Sequence, residues 1–256
     1  MCLILVGHQA QPGRPLVVAA NRDEFYARPT ASAHFWPGPA GVLAGKDLEA
    51  GGTWLGVNGA GRFAAVTNFG EPPPAEPKAS RGALVHGFLD GTMSAERYAA
   101  GIEGEAYRGF NLLLWDGREL VYASNRAETR TLPPGIYGLA NASLDEDRHK
   151  VHRGKAALGQ LLAQEVSDPS TLQQGLLSLL ADGELPAEPE PRDIPGRTAE
   201  ELLALGAVYI TGTDYGTRAS SAVTIDGEQV WFSEEISLTG GQRAGRSDHR
   251  FARRRD

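Results

Sequence analysis

MCLILVGHQAQPGRPLVVAANRDEF, residues 1–25, sets two short apolar runs on either side of a turn. Leu3 to Val6 and Leu16 to Ala20 are the runs, and the Gln-Pro-Gly-Arg-Pro segment between them cannot continue a strand. The pair reads as a β-hairpin whose first strand begins at the start of the chain. Such a hairpin brings Cys2 close to the far end of its second strand, where Asn21, Arg22, Asp23 and Glu24 follow one another. Four consecutive polar or charged residues cannot all face a core, so this end of the hairpin is a turn, a helix cap or a site.

The same signal recurs along the chain. Trp54 to Val57 and Phe63 to Thr67 flank Asn58-Gly59-Ala60-Gly61, and Phe110 to Trp115 and Glu119 to Ser124 flank Asp116-Gly117-Arg118. Ile136 to Ala140, Ala207 to Thr211, Ser220 to Ile225 and Gln229 to Ser233 read as further strands. Helical periodicity covers 81–89, 94–102 with Ser94 as N-cap, 145–162 and 171–180. Proline-rich stretches at 71–77 and 182–196 read as loops. Hairpins grouped between helix pairs give antiparallel sheets covered by helices, an α+β class. No strand-to-helix glycine fingerprint or Walker loop is present, which argues against a nucleotide-binding fold.

Composition narrows the function. The chain has 256 residues, enough for one sizeable core, and one cysteine, which excludes an internal disulfide or a zinc site built on several thiolates. No apolar stretch approaches the roughly 20 residues needed to cross a bilayer, and no export signal is visible, so the expected location is cytoplasmic. The net charge is −7; residues 242–256 hold six arginines and two aspartates, which leaves −11 on the rest. An acidic body is a poor nucleic-acid surface. The expectation is one domain over 1–241 followed by an Arg-rich, disordered tail over 242–256, with the oligomeric state left open.

Cys2 occupies the one address at which a thiol becomes the terminal residue, because removal of Met1 leaves it with a free α-amine. That amine has an ordinary pKa of about 7.7 to 8.0, so nucleophile and base share one residue. In the bland reading Cys2 is a small hydrophobe in an edge strand. The six histidines show no tight metal-ligand spacing; His149 and His152 share a helix face that reads as solvated. Trp36, Trp54 and Trp115 read as core or pocket wall, and Ser220-Ser221 lies on no nucleophile elbow.

These residues also carry a family resemblance. Met1-Cys2, Asn21-Arg22-Asp23-Glu24 with Phe25 and Arg28-Pro29, and Gly51-Gly52-Thr53-Trp54-Leu55-Gly56 stand in order with Thr67-Asn68, Ser80-Arg81-Gly82 and Gly109-Phe110-Asn111-Leu112. Gly138-Leu139-Ala140-Asn141 and Tyr215-Gly216-Thr217-Arg218 complete the series. Together they resemble the NRDE family, the transport-and-Golgi-organisation family, from Met1 to about Phe232. That family resembles in turn the N-terminal-nucleophile hydrolases of the penicillin V acylase and bile-salt hydrolase branch. The resemblance implies a four-layer αββα sandwich of two antiparallel sheets. It further implies Cys2 as nucleophile, Asp23 binding its amine, Asn68 and Asn141 donating to an oxyanion, and Arg218 near the thiol. Asn21, Arg22, Glu24 and Trp54 are the supporting or substrate-binding candidates. One departure is plain: those hydrolases carry arginine directly before Asn-x-Asp, where this chain has Ala20, and Arg22, two positions on, falls on the same strand face. Glu24 stands where they carry an aromatic residue, which implies a more polar pocket.

The resulting expectation is an N-terminal-cysteine amidohydrolase acting on a small-molecule amide or acyl substrate, with no metal and no cofactor. The rival, also implied by the resemblance, is a non-catalytic protein on the same scaffold that binds haem or acyl-CoA and lipid.

Overall fold

A computed structural model describes residues 2–71, 78–164, 166, 168–189 and 198–254. The opening hairpin is β1 (Cys2–Gln11) and β2 (Arg14–Phe25), pairing Cys2 with Arg22, Ile4 with Ala20 and Val6 with Val18. Alternation then sorts its side chains. Ile4, Val6, Val18 and Ala20 enter one buried cluster, while Leu3, Leu5, Val17 and Ala19 enter another on the opposite face.

The next strands are β3 (Thr30–Phe35), β4 (Leu43–Asp47), β5 (Leu55–Val57) and β6 (Phe63–Asn68), followed by α1 (Gly82–Asp90) and α2 (Ala95–Ala100). Then come β7 (Phe110–Trp115), β8 (Leu120–Ser124), β9 (Arg130–Leu132) and β10 (Gly135–Leu139), and the helices α3 (His149–Leu162), α4 (Pro169–Leu180) and α5 (Ala199–Ala204). The chain closes with β11 (Tyr215–Ile225), β12 (Gln229–Ser237) and β13 (Arg243–Ala252). Two antiparallel sheets result, a six-stranded one in the order β10-β1-β2-β11-β12-β13 and a seven-stranded one running β3 to β9 in sequence.

The layers follow from three buried clusters. One lies between the sheets and includes Ile4, Val18, Phe63, Trp115, Tyr122 and Phe232. The second joins α1 and α2 to the seven-stranded sheet through Leu84, Phe88, Leu112 and Leu114. The third joins α3 and α4 to the six-stranded sheet through Leu158, Leu172, Leu176 and Leu5. This is the αββα sandwich. Among the described residues no helix is long and apolar enough to cross a membrane.

Three expectations are corrected. Residues 243–252, read as a disordered tail, form β13, paired along β12 from Gln229–Ala252 to Ser237–Arg243. Its only large apolar side chain, Phe251, packs against the inter-sheet cluster, and its arginines find fixed partners: Arg250 lies over Trp231 and Arg246 pairs with Asp248. The open edge of β12 thus orders a segment whose own composition gives no strand signal. Residues 207–211, read as a strand, are irregular, with Ala207, Val208 and Ile210 buried and with Val208 C=O and Ile210 N–H held by the side chains of Asn21 and Thr217. Strands β3, β4 and β9 were not expected: β3 and β9 are edge strands with mostly polar or half-exposed residues, and β4 joins β3 to the sheet. Most of the proline-rich stretch 71–77, and 190–196 of the stretch 182–196, lie outside the described residues.

Candidate functional site

Cys2 starts β1 with the parity of Ile4 and Val6, so its side chain points to the inter-sheet face at the open end of the sandwich. It is buried yet lines a cleft of about 430 Å³ together with Arg22, Asp23, Glu24, Trp54 and Asn68. The opposite wall comes from the β4–β5 turn and the start of α1: Gly52, Thr53, Ser80, Arg81 and Gly82. Those two segments meet backbone to backbone. A Cβ on Gly52 would stand 2.7 Å from the Gly82 carbonyl carbon, so both glycines are required for the close approach.

The Cys2 nitrogen donates to Asn141 Oδ1 at 3.0 Å, and Asn141 Nδ2 donates to the Asn68 carbonyl at 2.9 Å. One partner can only donate and the other can only accept, which fixes the orientation of the carboxamide. Asn141 is itself anchored, its carbonyl accepting from Gly70 N–H, while Asn111 Nδ2 holds the next carbonyl, that of Ala142, at 2.8 Å. The Asn68 side chain is exposed in the cleft and hydrogen-bonds no other described residue. The geometry therefore separates the two asparagines. Asn68 is open toward a bound group, whereas Asn141, expected as a second oxyanion donor, holds the Cys2 nitrogen.

Burial pushes the Cys2 thiol above its ordinary value; the chain-terminal ammonium, Arg22 and a hydrogen bond from the Asp23 backbone N–H oppose this. The thiol at rest is protonated, and a base must take its proton before it attacks.

Asp23 lies on the other face of β2 from Arg22, beneath α3. Its carboxylate meets Lys150 Nζ at 3.4 Å and accepts from Thr217 Oγ1 at 2.8 Å, with Asp23 and Lys150 both fully buried. Lys150 was not singled out in the sequence. Its signal was there: residues 150, 154, 158 and 162 recur every four along the buried stripe of α3, so a lysine at 150 enters the protein. A cation in the first turn of a helix opposes the helix dipole, which makes the Asp23 charge necessary to it.

Arg22 is nearly buried on the Cys2 side, 3.6 Å from both Glu24 and Asp47. Glu24 and Trp54 line the cleft beside it. Arg218 sits at a bulge between Thr217 and Ala219 and is not among the residues lining the Cys2 cleft; its Nη1 donates to the carbonyls of Phe25, Tyr26 and Arg28 at 2.9 to 3.0 Å. It clamps the β2–β3 connection and lines a neighbouring cavity of about 330 Å³. Asn21 is also away from the thiol, bonded to Leu180 C=O, Val208 C=O and Ser220 Oγ, so it ties β2 to the helical layer. His152, on the exposed face of α3, pairs with Asp147. Arg81, in the Ser80-Arg81-Gly82 motif, reaches the thiol cleft without having been given a role from sequence.

Comparison with known proteins agrees with this architecture. Residues 1–238 match the family described as Transport and Golgi organisation 2. The chain is 35% identical over 258 residues to the Bos taurus Transport and Golgi organization protein 2 homolog, covering 93% of this chain and 94% of that protein. It is 34% identical to the Homo sapiens homolog, with 93% and 94% covered, and 31% identical to the Drosophila melanogaster Transport and Golgi organization protein 2, with 94% and 93% covered. Among solved structures it is similar to a mutant conjugated bile acid hydrolase from Clostridium perfringens, with a TM-score of 0.54 at 9% identity, over 100% of this chain and 97% of that one. At that identity the likeness is one of fold.

Proposed function

The chain belongs to the Transport and Golgi organisation 2 family, and we propose that it is an N-terminal-cysteine amidohydrolase acting on a small-molecule amide or acyl substrate. The observation that carries the reading is the Cys2 nitrogen held 3.0 Å from Asn141 Oδ1, with the thiol of the same residue lining a cleft. The fold neighbour supports it, being a hydrolase in which a cysteine at its own second position is replaced by alanine.

Removal of Met1 frees the Cys2 amine. Neutral near pH 8, it takes the thiol proton, and the thiolate, favoured by Arg22 and the Asp23 N–H, attacks the substrate carbonyl. The carbonyl oxygen gains the negative charge and is met by the Asn68 carboxamide, a donor of a kind that contributes roughly 3 kcal/mol to such steps. The ammonium of Cys2 returns the proton to the leaving nitrogen as the C–N bond breaks, leaving a thioester. A water then gives its proton to the amine and its hydroxide to the thioester, releasing the acid and the thiol. Asn141 orients the amine throughout, and the Lys150–Asp23 pair fixes the strand end that carries the Asp23 N–H.

Haem does not fit the residues present. Cys2 is the one described lining residue of a kind that ligates haem iron, but arginines, a lysine and carboxylates dominate, with Trp54 and Val66 as the only large apolar side chains among the described lining residues, whereas a porphyrin face requires apolar walls.

Intact mass of the purified protein, before and after a thiol-directed acylating ester, tests the proposal. The expected result is loss of Met1 and one acyl group on Cys2. A mature chain that keeps Met1, or a Cys2→Ala variant that turns over substrate as fast as the unmodified protein, refutes it.

A further inference from the structure

The wall of the cleft opposite Cys2 carries Lys78, Arg81 and Arg108. None of the three has a carboxylate oxygen within ion-pair distance among the described residues. Each spends one donor on a backbone carbonyl: Lys78 Nζ on Glu105 at 2.8 Å, Arg81 Nη1 on Gly109 at 3.1 Å and Arg108 Nη2 on Glu71 at 3.2 Å. Their other N–H groups are left over, and the buried Arg108 Nε has no partner at all. Glu71, the nearby acid, is committed elsewhere, to Gly109 N–H and to Arg126 at 2.9 Å.

By contrast, the cations beside Cys2 are balanced. Arg22 meets Glu24 and Asp47, and Arg28 meets Asp47 at 2.7 Å and Glu49 at 3.1 Å. Among the described residues lining the cleft, the cations without a carboxylate in ion-pair range thus lie on one wall. Burial first, and then the neighbouring Arg108 guanidinium, pull the Arg81 guanidinium below its ordinary value, with only partial opposition from Cys2 and Glu71. Arg81 is also the N-cap of α1, a nine-residue helix with no side-chain cap, so the positive end of the helix dipole adds to the same wall.

We propose that the substrate of the Cys2 cleft carries an anionic group, a carboxylate or a phosphate, which Lys78, Arg81 and Arg108 bind while its acyl carbon faces the thiol. This deepens the amidohydrolase reading and rests on it for the acyl group alone; the anion site stands on its own geometry. Guanidinium pairs recognise carboxylate and phosphate alike through paired N–H donors.

Two esters of equal length separate the possibilities: neutral 4-nitrophenyl hexanoate and the anionic mono-4-nitrophenyl ester of adipate, whose carboxylate is too far along the chain to form a five- or six-membered anhydride. In each, the Cys2 thiolate displaces 4-nitrophenolate and forms a thioester, and the rate is divided by that of free cysteine methyl ester. The expected result is a normalised preference for the anionic ester of about tenfold or more at low salt. Arg81→Met and Arg108→Met each lower that ratio by about tenfold, and Arg81→Lys retains part of it. Lys78 is exposed, so Lys78→Glu folds and lowers the ratio in the same direction. Equal normalised rates in the unmodified protein overturn the anion site and leave the nucleophile reading intact. If neither ester acylates Cys2, that reading fails instead, and calorimetric titration with inorganic phosphate and with succinate decides the anion site. Saturable binding weakened in Arg81→Met and Lys78→Glu upholds it, and the tighter of the two ions identifies the anionic group; no binding of either refutes it.

Discussion

Glu234 predicts a pH-dependent stability that one substitution removes. It sits on β12, and its Oε2 accepts from the Ala33 N–H of β3, in the other sheet, at 2.6 Å. Its surroundings in the smaller cavity include Arg22, Arg218 and Arg246, with His34 near by, yet burial outweighs the Ala33 bond and the cations and raises its carboxyl to about 7. The folded protein therefore holds a proton that the unfolded chain, with an ordinary value of 4.5, releases. The stability contributed by this proton is fully present below pH 4.5 and is lost as the pH rises to about 7. At about 1.4 kcal/mol per pH unit the loss is at most about 3 kcal/mol. In Glu234→Gln the acceptor for Ala33 N–H remains but the titration does not. Urea unfolding of both proteins between pH 5 and pH 8 measures the difference, in which all other titrating groups cancel. The variant is expected to exceed the unmodified protein by under about 1 kcal/mol at pH 5 and by up to about 3 kcal/mol at pH 8. A difference flat across that range, or a variant less stable at pH 8, refutes the reasoning.

Lys150→Met takes the cation away from the buried Asp23 charge, which costs about 3 kcal/mol, and adding Asp23→Asn restores most of it; urea midpoints read both, and a single-variant loss below about 1 kcal/mol contradicts the buried pair. Asn141→Ala releases the Cys2 nitrogen and the Asn68 carbonyl together, so Cys2 acylation measured by mass slows by about tenfold to a hundredfold; an unchanged rate shows that the contact is only structural. Gly52→Ala forces the β4–β5 turn away from α1, with a stability loss of about 1 to 3 kcal/mol read by thermal unfolding; a neutral variant contradicts the close approach. Deleting residues 243–256 strips β12 of its edge partner and removes the Arg254 contacts to Gly59 and Pro39, so the truncated chain is expected to melt lower and to aggregate in light scattering; an unaffected protein contradicts the assignment of β13.

Cys2, Arg22 and Glu24 were legible as neighbours because local rules place them, whereas Trp54 and Asn68, from the other sheet, were placed with them only through the family resemblance. A hairpin fixes which residue faces which, and strand alternation fixes the side. Roles that depend on a third element were not legible. Arg218 was expected near the thiol; that it also ties down the β2–β3 connection from a bulge in β11 was not legible. Asn141 carries the expected residue type, yet its duty depends on how the loop after β10 meets β6 and β1, which no spacing encodes. Lys150 is 127 residues from Asp23 in the chain, and only the packing of α3 on β1 joins them.

By itself the sequence determined the class of the fold, antiparallel hairpins grouped between helix pairs, and the address of the one thiol, since both are properties of neighbouring residues. Only the tertiary structure decided that the C-terminal arginines form an edge strand, and that cations from 78, 81 and 108, with no carboxylate in ion-pair range among the described residues, line one cleft with Cys2. Edge pairing and charge balance are set by what stands across a gap, and a chain read one residue at a time does not contain that distance.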